Sequence, residues 1–329
     1  MSNRQFPLPS GFSAASTADD VLAGADLTGR TAIVTGGYSG IGTETTRALH
    51  AVGARVIVPA RDIEKARRNL AGLDVEIWPM DLAEPASVDA FAAAFVGRDE
   101  PLHMLINSAG VMACPLAHDS RGYERQFATN HLGHFQLALR LWPALARARG
   151  ARVVSVSSRG HRFAGIDFDD PHFHRRAYDP WIAYGQSKTA NVLFALGMDK
   201  RGAAHGIRAF AVHPGAIVTD LARHMSQDDL RARGALDEHG RPVVDLARGM
   251  KSVPQGAATS VWAATSAQLD GLGGLYCEDV DVSPVLVDAD SEPGRASHDV
   301  GVRPWAIDPL AADRLWTLSE MQTGVAVPG

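Results

Sequence analysis

The sequence predicts an α/β fold in which a doubly wound parallel sheet of about seven strands carries helices on both faces. Three observations indicate this class. Short strand-like runs alternate with amphipathic helical patterns, a glycine-rich turn directly follows the first such run, and 46% of the 329 residues are apolar. Strands that alternate with helices form parallel sheets, because each helix returns the chain to the same edge. No repeat or low-complexity segment interrupts the alternation, so we predict a single domain.

The individual elements follow from hydrophobic periodicity and from the residues that begin and end them. We predict strands at 31–35, 54–59, 75–78, 102–107, 152–157, 207–213 and 274–277. We predict helices at 41–52, 62–71, 85–97, 119–148, 182–201 and 254–266, and a short helix that begins at Thr17 and leads toward Leu27. The domain would cover 28–283, between an N-terminal arm at 1–27 and a C-terminal extension at 284–329.

Charge, cysteine content and hydropathy limit the function classes. The formal net charge of −5 and the lack of a long basic run argue against nucleic acid or an anionic membrane as the main partner, which leaves small molecules. Cys114 and Cys277 fit neither a metal knuckle nor a disulfide framework, as expected in a reducing cytosol. The sequence shows neither a leader pattern nor a run of about eighteen apolar residues. We therefore expect a cytoplasmic protein.

A glycine-rich turn lies between the first predicted strand and the first long helix. Its spacing is Gly36-x-x-x-Gly40-x-Gly42. Glycine permits the tight turn and the close approach of backbone to a pyrophosphate. The free N–H groups and the dipole at the start of the helix favour the negative charge of the phosphates. Strand, glycine turn and helix together predict a dinucleotide site.

The end of the second predicted strand indicates which dinucleotide is bound. An NAD site usually places an acidic residue there to bind the ribose, whereas this sequence has Ala60 followed by Arg61. An arginine donates paired hydrogen bonds to a 2′-phosphate, which an acid would repel. The alternative is that Arg61 merely begins a helix with Asp62. We predict NADP(H) as the cofactor.

Tyr184 is the one tyrosine of five that has a lysine, Lys188, four residues downstream. Residues i and i+4 share one face of a helix, so the ammonium group would favour the ionised phenol and lower its pKa. The ordinary pKa of tyrosine is about 10, so one lysine needs help from a second positive or polar group. The chain has only four lysines, and an apolar run follows Lys188. A chemical role is therefore favoured over a solvated helix edge.

In their order along the chain, these motifs resemble those of the short-chain dehydrogenase/reductase family, in particular the subgroup related to retinol dehydrogenases. The match covers nearly the whole chain, with Ser108 as a departure from the family's Asn-Asn-Ala-Gly motif. The resemblance implies a Rossmann-type fold and the catalytic residues Asn130, Ser158, Tyr184 and Lys188. It implies cofactor contacts at Gly36, Tyr38, Ser39, Gly40, Ile41, Gly42, Arg61, Asp81, Leu82, Asn107, Ala109, Gly110, Tyr184, Lys188, Pro214, Gly215, Ile217 and Thr219.

The reaction implied by the resemblance is hydride transfer between a nicotinamide and a carbonyl carbon. Tyr184 would protonate the developing alkoxide, and Ser158 would hydrogen-bond the same oxygen. Lys188 would lower the pKa of the tyrosine and hold the nicotinamide ribose, and the cationic nicotinamide would be the second positive group. Asn130 would hold a water that links Lys188 to solvent.

The substrate side is expected in two segments of the chain. The spacing from Ser158 to Tyr184 indicates an insertion at 159–181. The segment 217–252 leaves the carboxyl edge of the sheet after the sixth strand, so we predict a substrate lid with an amphipathic helix at 221–231. The other predicted walls are Val111, Met112, Phe163 and Trp181. We therefore expect a lipophilic ketone, aldehyde or alcohol, although Arg159 and Arg223 could each reach in singly.

Other functions remain open. A Tyr–Lys pair also serves C=C reductases and epimerases on this scaffold, and a non-catalytic NADP(H)-binding sensor ranks last because the catalytic set is complete. A serine hydrolase is excluded, since there is no Gly-x-Ser-x-Gly elbow. His131 with His134, or the run Asp169–His174, offers too few ligands, so we predict no metal. His161 could contact the substrate, but a loop histidine is favoured.

An assembly is also expected. The predicted helices that carry Asn130 and Tyr184 are apolar on more than one face, and in the family these helices pair between subunits. We therefore predict a homodimer or homotetramer.

Overall fold

The computed structural model describes residues 5–286 and 300–328, and in these ranges the sheet has eight strands in the order β3-β2-β1-β4-β5-β6-β7-β8. The strands are β1 (Thr31–Thr35), β2 (Arg55–Ala60), β3 (Glu76–Pro79), β4 (Met104–Asn107), β5 (Ala151–Val156), β6 (Ile207–His213), β7 (Leu275–Glu278) and β8 (Asp281–Val282). All pairs are parallel except β7–β8. The predicted fold class is confirmed. The predicted number of strands was one too few, because β8 has only two residues, too few to show the alternating hydrophobic pattern of a strand.

Helices cover both faces of the sheet. They are α1 (Ala18–Val21), α2 (Ile41–Ala51), α3 (Ile63–Asn69), α4 (Pro85–Val96), α5 (Arg125–Phe127), α6 (Gly133–Arg140), α7 (Trp142–Arg147), α8 (Pro180–Gly202), α9 (Gln227–Ala232), α10 (Val253–Thr265) and α11 (Pro309–Thr323). One core, which contains Trp262, lies between the sheet and α1, α2 and α10. A second core, which contains Phe135 and Phe194, lies between the opposite face and α4, α6, α7, α8 and α11.

The single helix predicted at 119–148 is wrong, because the chain breaks there in three places. Asp119 accepts hydrogen bonds from the backbone of the following turn, and Glu124 then caps α5 with both carboxylate oxygens. A π-helical turn at Ala128–Leu132 joins α5 to α6. A proline in the first turn of α7 separates α6 from α7, because proline has no N–H to continue the ladder. The π-turn carries Asn130.

Two further helix predictions need correction. The helix that begins at Thr17 has a capping box with Asp20 but ends at Val21, well before Leu27. The helix expected at 221–231 is instead a 3₁₀ turn at Asp220–Ala222 followed by α9. A capping box between Ser226 and Asp229 begins α9, so the two pieces cannot form one continuous helix.

The C-terminal extension packs onto the helix that carries Tyr184. In α11, the Trp316 ring stacks on Phe194 of α8 with centroids 6.2 Å apart, and meets Phe135 of α6 edge-on at 4.9 Å. Gly197 permits this approach, since a Cβ there would lie 2.8 Å from the indole. Helix α11 therefore covers part of the α6 and α8 surface that was expected to pair between subunits. Within the described ranges, no helix combines the length and apolarity that crossing a bilayer requires.

Candidate active site

The turns after β1 and β4 meet at the point where the strand order reverses. Thr35 and Asn107 are paired at the carboxyl ends of these strands. Gly36 has φ +65°, and a Cβ there would lie 2.9 Å from Cα of Ala109. Only glycine meets both the backbone angle and the close approach. The glycine turn and the Asn107–Gly110 segment thus form one edge of a crevice, the usual ligand position in an open α/β sheet.

Ser158 and Tyr184 lie together at the next strand along this edge. Ser158 follows β5, and Tyr184 lies in α8. The carboxylate of Asp179 caps the start of α8 by accepting hydrogen bonds from the N–H groups of Trp181 and Ile182. Gly160 lets the phenol ring lie against the backbone, since a Cβ there would be 2.7 Å from Cε1 of Tyr184. Burial raises the pKa of Tyr184 to about 12, and its hydrogen bond with Ser158 acts in the opposite direction.

Lys188 lies one turn further along α8, with Nζ 5.6 Å from the centre of the Tyr184 ring. Nζ donates a hydrogen bond of 3.0 Å to the carbonyl of Val156. Burial lowers the pKa of Lys188 to about 8. The lowered tyrosine pKa expected from Lys188 does not arise in the chain alone, because burial has the larger effect. The expected help from a second positive or polar group stays a prediction.

Asn130 is fully buried in the π-turn between α5 and α6. Its Oδ1 accepts from the N–H of Val111 at 2.8 Å, and Nδ2 donates to the carbonyl of Val111 and to Oγ of Ser187, both at 2.9 Å. A Cβ on Gly110 would be 3.0 Å from Oδ1 of Asn130 and 3.7 Å from Nζ of Lys188. The amide therefore fixes the loop after β4 and lies close to the ammonium group.

His134 connects Asn130 to the first strand. Its Nδ1 lies 3.0 Å from the carbonyl of Asn130, and its Nε2 lies 2.9 Å from Oγ1 of Thr35. A carbonyl only accepts, so Nδ1 carries the proton and Nε2 accepts from the threonine hydroxyl. Burial lowers the pKa of His134 to about 4 and that of His131 to about 3. Both rings act in packing, and among the described residues no group of three or more His, Cys, Asp or Glu side chains is placed to hold a metal ion.

Several features of the crevice fit a dinucleotide. Asn107 is 1% exposed, and neither atom of its amide has a hydrogen-bond partner. Gly40 begins α2, and no side chain among the described residues caps that helix through a hydrogen bond. Gly110 leaves space beside Lys188 that a Cβ would fill. A buried unpaired amide, an uncapped helix start and a glycine-lined space are what a bound dinucleotide would complete.

The other predicted cofactor residues are spread around the same crevice. Arg61 directly follows β2 and is exposed. Ser39 Oγ donates to Asp220, which also accepts from Lys65 at 2.8 Å, so the segment that follows β6 reaches the glycine turn. The remaining predicted contacts lie in the glycine turn, after β3, after β4 and after β6: Tyr38, Ile41, Asp81, Leu82, Ala109, Pro214, Gly215, Ile217 and Thr219.

The substrate side brings aromatic residues next to Tyr184. The Trp181 ring meets Tyr184 edge-on at 6.3 Å and Phe163 at 6.1 Å. Arg233, from the segment 217–252, has its guanidinium 4.4 Å from the Trp181 ring centre. Phe163 is 49% exposed, so its ring is accessible to solvent. The predicted neighbourhood of Phe163, Trp181 and Tyr184 is present in the structure.

The two arginines that could reach the substrate have other partners. Arg159 pairs with the fully buried Glu278 at 3.3 Å, and a Cβ on Gly249 of the lid would lie 2.5 Å from its guanidinium. Arg223 is exposed and donates to the carbonyl of Asp220. Neither forms a clamp for a phosphate or carboxylate. His161 is fully buried, with its ring bonded to backbone atoms, so it does not contact a substrate.

Sequence reasoning missed several residues around this site, and it named His161 only as a loop histidine that could contact the substrate. His161 and His213 lie three residues after Ser158 and one before Pro214, so their closeness to motif residues was a usable signal. Glu278 accepts from the N–H of Gly301 and pairs with Arg159 across long sequence separations, which no local pattern reveals. Lys251 pairs with Asp279 at 2.6 Å beside Gly215, also without a local signal.

Comparison with known proteins agrees with this geometry. The family model for short chain dehydrogenase matches residues 30–230. The chain belongs to the short-chain dehydrogenase family. A protein named probable oxidoreductase from Streptomyces lividans is 48% identical over 299 residues, which cover 88% of this chain and 96% of that protein. Retinol dehydrogenase 12 from Homo sapiens is 35% identical over 300 residues, which cover 89% of this chain and 86% of that protein.

Solved structures of other short-chain dehydrogenases extend the comparison. An uncharacterised protein from Mycobacterium paratuberculosis has a TM-score of 0.71 and 31% identity, over 97% of this chain and 99% of that chain. An RhlG/NADP active-site complex from Pseudomonas aeruginosa has a TM-score of 0.59 and 25% identity, over 77% of this chain and 95% of that chain. The predicted family is confirmed, and with it a nicotinamide-dependent dehydrogenase or reductase activity on a small molecule.

Proposed function

We propose that this short-chain dehydrogenase is an NADP(H)-dependent oxidoreductase that interconverts a lipophilic ketone or aldehyde and its alcohol. Tyr184 is the general acid and base. The observation that carries the proposal is the placement of Ser158 and Lys188 around the buried Tyr184 ring, at the sheet edge that also holds the glycine turn. This arrangement has a proton donor, a hydrogen-bonding hydroxyl and a cation at one point.

The side chains divide the proton chemistry among them. When bound, the nicotinamide cofactor supplies or accepts the hydride. Tyr184 gives its proton to the substrate oxygen during reduction and takes it back during oxidation, while Ser158 holds the same oxygen. Lys188, with a pKa of about 8, exchanges protons close to neutral pH. Oδ1 of Asn130 and Nζ of Lys188 both lie beside Gly110, which supports the water relay from Lys188 to solvent.

The preference for NADP(H) over NAD(H) rests on the exposed Arg61. It stands directly after β2, where the adenosine ribose is held in dinucleotide sites of this fold. Its guanidinium would bind the 2′-phosphate, with Gly36, Gly40 and Gly42 admitting the pyrophosphate. The RhlG/NADP complex, whose similarity covers most of this chain, supports the same choice.

The substrate class follows from the open aromatic wall. Trp181 lies between Phe163 and Tyr184, and Arg233 of the proposed lid at 217–252 lies over the Trp181 ring. An apolar substrate of some bulk buries its surface against these rings, at about 25 cal/mol per Å². The similarity to retinol dehydrogenase 12 is consistent with a lipophilic alcohol or aldehyde, and retinoids themselves belong in the test.

Location and assembly are part of the same proposal. We place the protein in the cytoplasm, on the basis of two unpaired buried cysteines. The homodimer or homotetramer stays a prediction. Because α11 covers part of α6 and α8, an interface on those helices has to include α11.

The deciding experiment separates the three functions that share this scaffold. The protein is incubated with NADPH or NADH and with cyclic and aryl ketones, aliphatic and retinoid aldehydes, enones and small sugars, and products are identified by mass spectrometry. We expect alcohols from lipophilic carbonyls, with NADPH preferred. Saturated products from enones would indicate a C=C reductase. Cofactor binding without turnover of any compound would indicate a sensor, and preference for sugars would overturn the apolar substrate class.

A further inference from the structure

Two buried histidines hold the peptide group that joins Ser158 to Arg159. The carbonyl of Ser158 lies 2.7 Å from Nδ1 of His161. The N–H of Arg159, at the other end of the same peptide group, donates to Nδ1 of His213 at 3.2 Å. His161 and His213 are 0% and 4% exposed. The peptide that follows Ser158 is therefore bonded at both ends to imidazole rings.

The backbone partners fix the tautomer of each ring. Because a carbonyl only accepts, Nδ1 of His161 carries the proton, and its Nε2 then accepts the N–H of Arg303 at 3.2 Å. Because an N–H only donates, Nδ1 of His213 is the unprotonated nitrogen. Burial lowers the pKa of His161 to about 3 and that of His213 well below its ordinary value, with nearby arginines acting in the same direction. Both rings stay neutral. His161 donates a hydrogen bond to the peptide carbonyl, and His213 accepts one from the peptide N–H.

The orientation of this peptide determines where the Ser158 hydroxyl points. Ser158 is extended, with φ −166° and ψ 159°, and its Oγ accepts the N–H of Gly160 at 3.0 Å. Gly160 in turn lies against the ring of Tyr184. A rotation of the peptide after Ser158 would displace the Gly160 N–H that Oγ accepts and would also push Gly160 against the phenol. Holding both ends of the peptide therefore fixes the serine and the tyrosine relative to each other.

We propose that His161 and His213 are positioning residues, which orient the Ser158 hydroxyl toward Tyr184 by holding the Ser158–Arg159 peptide from its two ends. This inference rests on the proposed function, because it takes Ser158 and Tyr184 as the catalytic pair.

His161 also ties the C-terminal extension to the catalytic residues. Its Nε2 accepts from Arg303, and its carbonyl accepts from Nε1 of Trp305 at 3.2 Å and from Oγ1 of Thr189 at 3.0 Å. Thr189 directly follows Lys188 in α8. One residue thus joins the loop after Ser158, helix α8 and the C-terminal extension.

Two substitutions at position 161 separate the two bonds of the ring. In His161→Asn, the side-chain amide can still donate to the Ser158 carbonyl from the δ position but cannot reach Arg303. In His161→Gln, the ε oxygen can still accept from Arg303 but no δ donor remains. We expect His161→Gln to lower kcat about 10- to 100-fold, because small misplacements of catalytic groups have effects of this size. Its KM and its thermal midpoint should change little. His161→Asn should retain most of kcat and lose thermal stability.

A parallel pair tests the other end of the peptide. His213→Asn keeps an acceptor at the δ position and should retain most of kcat, whereas His213→Leu removes it and should lower kcat by a similar factor as His161→Gln. His205→Asn, at an exposed position outside the site, is the matched control. NADPH fluorescence titration shows that each variant is folded and binds the cofactor.

The outcomes distinguish this inference from the proposed function. If Tyr184→Phe keeps full turnover, the proposed function fails. Two results would show that the positioning role is wrong when Tyr184→Phe is inactive. One is a wild-type kcat in all four histidine variants. The other is an equal loss of kcat in His161→Asn and His161→Gln. If His161→Gln or His213→Leu does not fold, the kcat values of His161→Asn and His213→Asn still decide. These two variants keep the hydrogen-bonding group at the δ position, so a loss of kcat in both contradicts the positioning role.

Discussion

The two halves of the sheet edge are held together in different ways. In the cofactor half, residues 28–110, the glycine turn is closed by its own backbone, as in the bonds from Ser39 N–H to Gly36 and from Gly42 N–H to Ser39 at 3.2 and 3.1 Å. In the proposed substrate half, residues 151–286 and 300–328, the His161 ring that holds the peptide after Ser158 is itself bonded to Arg303, more than a hundred residues away. The glycine turn is therefore closed by local geometry, whereas the surroundings of Ser158 also depend on the C-terminal extension.

The largest effect should come from Trp316→Ala, which tests whether the substrate half depends on α11. Trp316 is 2% exposed and contacts Phe135 and Phe194. Removing such a ring from a core costs about 3–5 kcal/mol. We expect the free energy of unfolding, measured by urea denaturation, to fall by that amount. Leu310→Ala, at a 79% exposed position of the same helix, should change it by less than about 0.5 kcal/mol. Equal effects in the two variants would contradict the docking of α11.

Tyr184→Phe tests the chemistry where the two halves meet. Loss of a general acid lowers turnover by two or more orders of magnitude, about 2.7 kcal/mol or more in activation free energy. We expect kcat to fall by at least that factor and the Kd for NADPH to stay within about threefold, since the phenol belongs to proton transfer. Tyr123→Phe removes a hydroxyl outside the catalytic set and serves as the control. Turnover retained in Tyr184→Phe would remove this residue from the mechanism.

Arg61→Ala probes the cofactor half alone. It should weaken NADPH by about 1.5–3 kcal/mol, the value of a charge-assisted bond, and leave NADH nearly unchanged. The comparison uses Kd values for both cofactors from fluorescence titration. Arg68→Ala, at an exposed arginine on the following helix α3, should change neither value. If wild-type protein binds the two cofactors equally, the assignment of Arg61 to a 2′-phosphate is wrong.

The smallest effect is expected for Asp220→Asn, which breaks the ion pair between the two halves. Lys65 and Asp220 are 2.8 Å apart, with side chains 40% and 62% exposed. Exposed pairs contribute about 0.2–1 kcal/mol and are weakened by salt. We expect the KM for NADPH to change by less than about fivefold, and the difference from wild type to shrink as salt is added. A change above tenfold would show that this contact controls lid closure more strongly than an exposed pair can.

Prediction from sequence succeeded where structure is local. The predicted bounds of β1 and β6 are the observed ones, because buried parallel strands show as continuous apolar runs. Tyr184 and Lys188 lie on one face of α8, as the i, i+4 spacing requires, and the glycine turn stands where the strand–turn–helix pattern placed it. Each of these features is encoded within about twenty residues of sequence.

It failed where a partner is far away in sequence. Nothing near Glu278 indicates that Arg159 and Gly301 will bond to it, and nothing near His161 indicates Arg303. The π-turn around Asn130 leaves the hydrophobic pattern almost unchanged, so it is invisible to periodicity. The prediction of one helix at 221–231 relied on its amphipathic pattern. It overlooked Ser226 and Asp229, whose spacing in the sequence is that of a capping box and indicates a helix start.

The docking of Trp316 onto α8 has a consequence for synthesis on the ribosome. Phe194 and Trp316 are separated by about 120 residues, which take roughly 6–24 s to translate at 5–20 residues per second. During that interval, Phe194 and its neighbours on α8 have been synthesised but Trp316 of α11 is not yet present to cover them. Molecular chaperones bind exposed aromatic surfaces. We therefore expect the nascent chain to depend on them most between the emergence of α8 and the emergence of α11 from the ribosomal exit tunnel.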